Sequence, residues 1–122
     1  MKQTPSCIVV DDDPEFARSV QSWLNRLYPA LEVIVFLHSR EALHHVVSRP
    51  VKCLITNFRM PWLDGLGLAR RARLLCADDT PIVVMSTENI ETEALAQGAD
   101  LFVRKPDIFE LLKGFLDQRC AG

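Results

Sequence analysis

The chain has 122 residues, 48% of them hydrophobic, with 14 basic and 16 acidic side chains and a net charge of −2. That length matches one domain, residues 1–122, and the balance of charge lacks the positive excess on which non-specific nucleic-acid binding depends. No apolar run approaches the roughly 18 residues of a membrane span, and the opening MKQTPSC has no apolar secretion core, so a cytoplasmic protein is expected.

Residues 6–10 (SCIVV) form an apolar run ending in Asp11, Asp12 and Asp13. Pro14 suits the first turn of a helix and Asp13 its N-cap, because the carboxylate can accept the unpaired N–H groups of that turn. Phe16, Val20, Trp23, Leu24 and Leu27 recur at helical spacing and predict a helix over 14–27, stopped by Tyr28-Pro29. LEVIVFL (31–37) is β-branched or apolar almost throughout and reads as a strand covered on both faces. Ser39 then caps a second helix over 40–48, which Pro50 ends.

The stretch 51–68, VKCLITNFRMPWLDGLGL, carries the third strand (52–57), a loop with a Met60-Pro61 turn, and Asp64-Gly65 opening a third helix. On that helix Leu68, Ala72 and Leu75 share a face. PIVVMS (81–86) is the fourth strand, with Thr87 at its end. Residues 88–97 are helical in propensity but weakly apolar, so this helix, with Gly98 behind it, should be the least firmly packed. ADLFV (99–103) makes a fifth strand followed by Arg104, Lys105 and Pro106. Asp107 caps a last helix with a stripe of Ile108, Leu111, Leu112, Phe115 and Leu116.

Five strands alternating with five helices imply a parallel sheet with helices on both faces, although pattern alone does not give the strand order. Cys7, Cys53, Cys76 and Cys120 show no metal-ligand spacing, and Cys7 and Cys53 lie in apolar strand runs as small core residues. His38, His44 and His45 read as solvated loop and helix surface.

The strand ends carry Asp11 and Asp12, Asn57, Thr87 and Lys105, all at the edge where a parallel sheet collects its ligand groups. Taken singly, the acids are helix caps, Thr87 a turn residue and Lys105 a solvated charge. Together, a pair of carboxylates suits Mg²⁺, while a hydroxyl and an ammonium suit phosphoryl oxygens. The constellation points to phosphoryl chemistry.

In order and spacing, IVVDDDP, LITNFRMPWLDG, PIVVMST and LFVRKP resemble the receiver domain of bacterial two-component response regulators, over residues 6–118. The resemblance implies a three-layer, doubly wound, flavodoxin-like α/β fold whose five-stranded parallel sheet has the order 2-1-3-4-5. By the same resemblance Asp12, and Asp11 through water, match the Mg²⁺-site acids, the backbone carbonyl of Arg59 is a further ligand, Thr87 and Lys105 bind the phosphoryl group, and Phe102 is the switch aromatic. It implies a histidine kinase or another signalling protein as partner. An output domain or a second copy would meet the fourth helix, fifth strand and fifth helix around Ile90, Ala94, Phe102 and Arg104.

Two residues depart from the family's pattern. Asn57 aligns with the aspartate that accepts the phosphoryl group; an amide oxygen is a far poorer nucleophile and cannot form the same mixed anhydride. Asn57 can still offer one oxygen to a metal, but the lost charge predicts weakened or absent Mg²⁺ binding. Glu88 stands where a small residue is usual, adds negative charge at the mouth, and has Lys105 or Arg59 as a candidate partner. These departures lead to a pseudo-receiver that works through protein contacts and is not an enzyme. The alternative is a conventional Mg²⁺-dependent phospho-accepting receiver carrying an engineered Asp-to-Asn change at position 57. An unrelated nucleotide-binding enzyme is disfavoured, because Asp-Asp-Asp-Pro replaces the Gly-rich phosphate loop after the first strand.

Overall fold

Side chains along a strand alternate between its two faces, and a sheet covered on both sides must therefore be apolar at nearly every position. That condition is met in the computed structural model, which describes residues 4–119. The chain runs β1 (Ser6–Val10), α1 (Pro14–Leu27), β2 (Val33–Phe36), α2 (Ser39–Ser48), β3 (Val51–Asn57), α3 (Gly65–Leu75), β4 (Ile82–Ser86), α4 (Glu91–Ala96), β5 (Leu101–Arg104) and α5 (Phe109–Arg119). All neighbouring strands are parallel, in the order β2-β1-β3-β4-β5. On one face Ile8, Val10, Leu54, Ile82, Val84 and Phe102 pack under α2, α3 and α4. On the other Cys7, Val9, Cys53, Ile55, Val83, Met85 and Val103 pack under α1 and α5. No helix among the described residues is long and apolar enough to cross a membrane.

Of the caps expected from sequence Asp13 forms, and Asp64 caps the helix it opens, whereas Asp107 stands two residues ahead of the first residue of α5. Asp13 accepts the N–H groups of Glu15 and Phe16, and Asp64 accepts that of Gly67. Ser39 differs: it is the first residue of α2, and its hydroxyl donates instead to the carbonyl of Pro61. The second strand is shorter than expected and half-buried at all four residues, because it is a sheet edge with a neighbour on one side only. Leu75 and Leu111 are exposed although their spacing matched the buried stripes. His45 is half-buried with its ring against Phe36, and burial followed by the nearby Arg49 pushes its pKa down. Cys120 lies outside the described residues.

The loop between β3 and α3 is drawn shut at its base. The N–H of Gly65 donates to the carbonyl of Phe58 at 2.7 Å, and a Cβ on Gly65 would stand 2.1 Å from the carbonyl oxygen of Asn57. Glycine is the residue that allows this approach. Within the loop Leu63 donates its N–H to the carbonyl of Pro61 at 2.8 Å around Trp62, whose φ is +71°. A bulky residue in that left-handed region costs roughly 1–2 kcal/mol. The ring projects outward, and the guanidinium of Arg40 sits 4.6 Å over it.

Farther from that loop, Arg73 binds together the other end of α3 and two connections. It donates to the carbonyls of Asp78, Thr80 and Gly98 and to the Asp100 carboxylate at 2.6 Å. Gly98 follows α4 with φ +104°.

Gly65→Ala should lower stability by about 3 kcal/mol, since the clash is with backbone that cannot rotate away. Gly114→Ala, at a helical position with nothing near its would-be Cβ, should raise stability by about 0.5–1 kcal/mol. Urea midpoints of the two variants check both signs.

Candidate functional site

Parallel register brings the ends of β1, β3, β4 and β5 to one edge, and hydrogen bonds continue the ladder just past the strands. Asp11 donates its N–H to Phe36, Phe58 to Met85, and Lys105 to Ser86. The side chains at this edge are thus carried on fixed backbone.

The Lys105 ammonium reaches the Asp11 carboxylate at 2.7 Å, with the side chains 14% and 1% exposed. The same carboxylate accepts the Asp13 N–H, and the ammonium stands 4.3 Å over the ring of Phe16. Burial is the largest influence on Asp11 and pushes its pKa up, against the lowering effect of Lys105. A buried charge pair of this kind holds geometry rather than adding stability, but loss of either partner strands the other.

Asn57 closes β3 and is nearly buried. Its amide Nδ2–H donates to the backbone carbonyl of Arg59 at 2.8 Å. That bond also orients the amide, because the opposite assignment would set two oxygens against each other. The guanidinium of Arg59 turns outward over the ring of Phe58 and forks onto Glu88, Nε to Oε2 at 2.6 Å and Nη2 to Oε1 at 2.9 Å. The N–H of Glu88 in turn donates to Ser86 Oγ at 3.0 Å. Their mutual hydrogen bond is the leading cause of both shifts, Arg59 upward and Glu88 downward.

Of the residues picked out from sequence, Asp11 and Lys105 therefore meet, as do Asn57, Arg59 and Glu88. Between the two candidate partners for Glu88, the geometry selects Arg59, because Lys105 is engaged by Asp11. Asp12 and Thr87 are exposed and make no hydrogen bond among the described residues, and β4 ends at Ser86, one residue before Thr87. Ala94 and Phe102 are buried, so of the four residues expected around a docking surface only half-buried Ile90 and exposed Arg104 face solvent. Sequence reasoning missed Phe16 and Ser86 as parts of this edge. Phe16 carried no signal beyond its place on an apolar stripe, and Ser86 was hidden as the last residue of an apolar strand.

The description "Response regulator receiver domain" belongs to the family model that matches residues 7–115. The chain is a member of that family. Among curated receiver proteins it is similar to the chemotaxis protein CheY homolog of Campylobacter jejuni, 32% identical over 115 residues, covering 90% of this chain and 88% of that one. It is also similar to the cyclic di-GMP phosphodiesterase response regulator RpfG of Xanthomonas campestris, 32% identical over 103 residues, which cover 81% of this chain but 27% of RpfG. Among solved structures, the Francisella response regulator 1452 receiver domain superposes with a TM-score of 0.79 at 25% identity, covering 95% of this chain and 98% of that one.

Receiver domains typically bind Mg²⁺. The residues present here do not fit that ion as they stand. The Arg59 carbonyl accepts an N–H from Asn57, which spends a donor where a carboxylate would have only acceptors, and Asp11 holds an ammonium. Among the described residues, Asp12 and the Oδ1 of Asn57 are left without a hydrogen-bond partner, and no group of three or more His, Cys, Asp or Glu suited to a metal occurs.

Lys105→Met should destabilise this receiver domain by about 3–5 kcal/mol at neutral pH, because the Asp11 carboxylate is left buried and uncompensated. The double variant with Asp11→Asn should recover most of that loss, as read from urea unfolding. In the unaltered chain the raised pKa means that the folded state binds the Asp11 proton more tightly than the unfolded state. The contribution of Asp11 to stability is thus greatest below the ordinary carboxylate pKa and falls as pH rises through the folded-state value.

Proposed function

We propose that this receiver domain signals through protein contacts without forming an acyl phosphate at position 57. The observation that carries the reading is the Asn57 amide at the end of β3, with its nitrogen donating to the Arg59 carbonyl. By the family resemblance, position 57 is the phospho-acceptor. A carboxylate there would face that carbonyl oxygen repulsively unless a cation lay between them, whereas the amide supplies its own N–H. Asn57 thus removes the nucleophile and relieves the requirement for a metal in the same step. The bidentate Arg59–Glu88 pair favours this reading over a conventional receiver altered at position 57 alone, since it gives the neighbouring loop a partner of its own.

The family's partners are histidine kinases and output domains, and the similarity to one part of RpfG supports a role as one module of a longer signalling assembly. In this reading a cognate protein recognises the α4–β5–α5 side through Ile90 and Arg104. The domain carries out no self-phosphorylation or dephosphorylation, and works in the cytoplasm.

Intact mass after incubation with a small phosphodonor and Mg²⁺ tests the reading. The unaltered chain should gain no phosphoryl group; a gain on it would overturn the proposal. A gain on the Asn57→Asp variant alone would show that Thr87 and Lys105 remain competent around a missing nucleophile. In the absence of divalent cations, Asn57→Asp should lower stability by about 1–3 kcal/mol through loss of the bond to the Arg59 carbonyl. Mg²⁺ should restore part of that loss for the variant and leave the unaltered chain unmoved, as read from thermal unfolding.

A further inference from the structure

In α4 only Ala94 is fully buried, the N-cap residue Ile90 makes no side-chain hydrogen bond, and the helix has six residues. Such an element has little holding it by itself. The connection into it, residues 87–90, is exposed or half-buried and follows directly on Ser86. Ile90 packs against the core under α2, α3 and α4, and the polar tie of this connection is Glu88, with its N–H on Ser86 Oγ and both carboxylate oxygens on the Arg59 guanidinium. Arg59 is itself fixed at two points, its carbonyl by Asn57 and its guanidinium plane over the Phe58 ring. A continuous chain of contacts therefore runs from the end of β3 through Asn57, Arg59 and Glu88 to the start of α4.

We propose that the Arg59–Glu88 pair is a conformational strap that holds the β4–α4 connection against the β3–α3 loop and so sets the position of α4 without a phosphoryl group. The inference rests on the phosphate-free reading above, which left open what fixes α4. The geometry suits the role. A forked guanidinium–carboxylate contact fixes orientation as well as distance, which a Lys–Glu contact would not do. Its two side chains are exposed, 72% for Arg59 and 42% for Glu88, so a partner or salt can reach and open it. Asn57 is the anchor of the strap, because its amide holds the Arg59 backbone in place while the side chain reaches across.

Amide hydrogen exchange, measured without phosphodonor or divalent cation, tests the strap separately from the phosphorylation reading. Glu88→Gln and Arg59→Ala should each speed exchange across 91–97 about two- to fivefold, with the amides of β3 and α1 unchanged as internal controls. The charge-reversed pair Arg59→Glu with Glu88→Arg should return exchange toward that of the unaltered chain. Raising ionic strength from about 0.01 M to about 1 M, which shortens the screening length from roughly 30 Å to roughly 3 Å, should speed exchange in α4 of the unaltered chain but not of Glu88→Gln. Unchanged exchange in both single variants would overturn the proposal. So would faster exchange that the reversed pair fails to restore, or that spreads equally to β3 and α1. A mass gain on the unaltered chain would sink the phosphate-free reading while leaving these exchange results to stand or fall by themselves.

Discussion

A carboxylate with almost no access to water must find a cation, and the meeting of Asp11 with Lys105 is the constraint around which this edge is arranged. The two residues follow β1 and β5, which stand three strand spacings apart, about 14 Å, with β3 and β4 between them. Neither side chain spans that distance alone. The connections after both strands must lean inward over the sheet's edge, and the end of β3, with Asn57, lies between them. Phe16 supports the arrangement from α1 by offering its ring to the ammonium.

With Lys105 and Asp11 joined, the groups at the edge left open to a ligand are Asp12, Thr87 and the Asn57 oxygen. Arg59 and Glu88 also satisfy each other, and the Asn57 amide donates to the Arg59 carbonyl. In a phospho-accepting site the same positions would carry excess negative charge that only a metal could balance. Here two ion pairs are closed internally, while Asp12 and Asp13 keep their charge facing solvent. The site has the architecture of a receiver with its two cations each paired to a carboxylate.

Much of the fold was legible because parallel strands buried on both sides leave unbroken apolar runs, and because Asp13 and Asp64 announce the helices they cap. Strand order came from the family resemblance and not from pattern, since periodicity says which residues are buried and nothing about which strand is beside which. The errors share a cause. Ser39 was read locally as a cap, but the Pro61 carbonyl, distant in sequence, claims its hydroxyl. Leu75 matched an apolar stripe on the last turn of α3, beyond its buried residues, while Leu111, between buried Ile108 and Leu112, falls on the outer face of α5. Residues 88–90 matched a helix that starts only at Glu91, because Ser86 and Arg59 pull Glu88 into a different course. At the site, Asn57 and Glu88 stood out as departures from an expected pattern. That they are linked through the two ends of one arginine could not be seen in one dimension.

The narrow base of the β3–α3 loop bears on how such a site can diverge. With Gly65 donating to Phe58 and standing against the Asn57 carbonyl, the loop is a ring closed at a point where no atom can be added. The base is what this closure holds, while side chains farther round the loop project outward from it. Arg59 and the outward-facing Trp62 both sit on that ring. Exchanging the outward residues Arg59 and Trp62 therefore changes what this loop presents to a neighbour without touching the contact that closes its base.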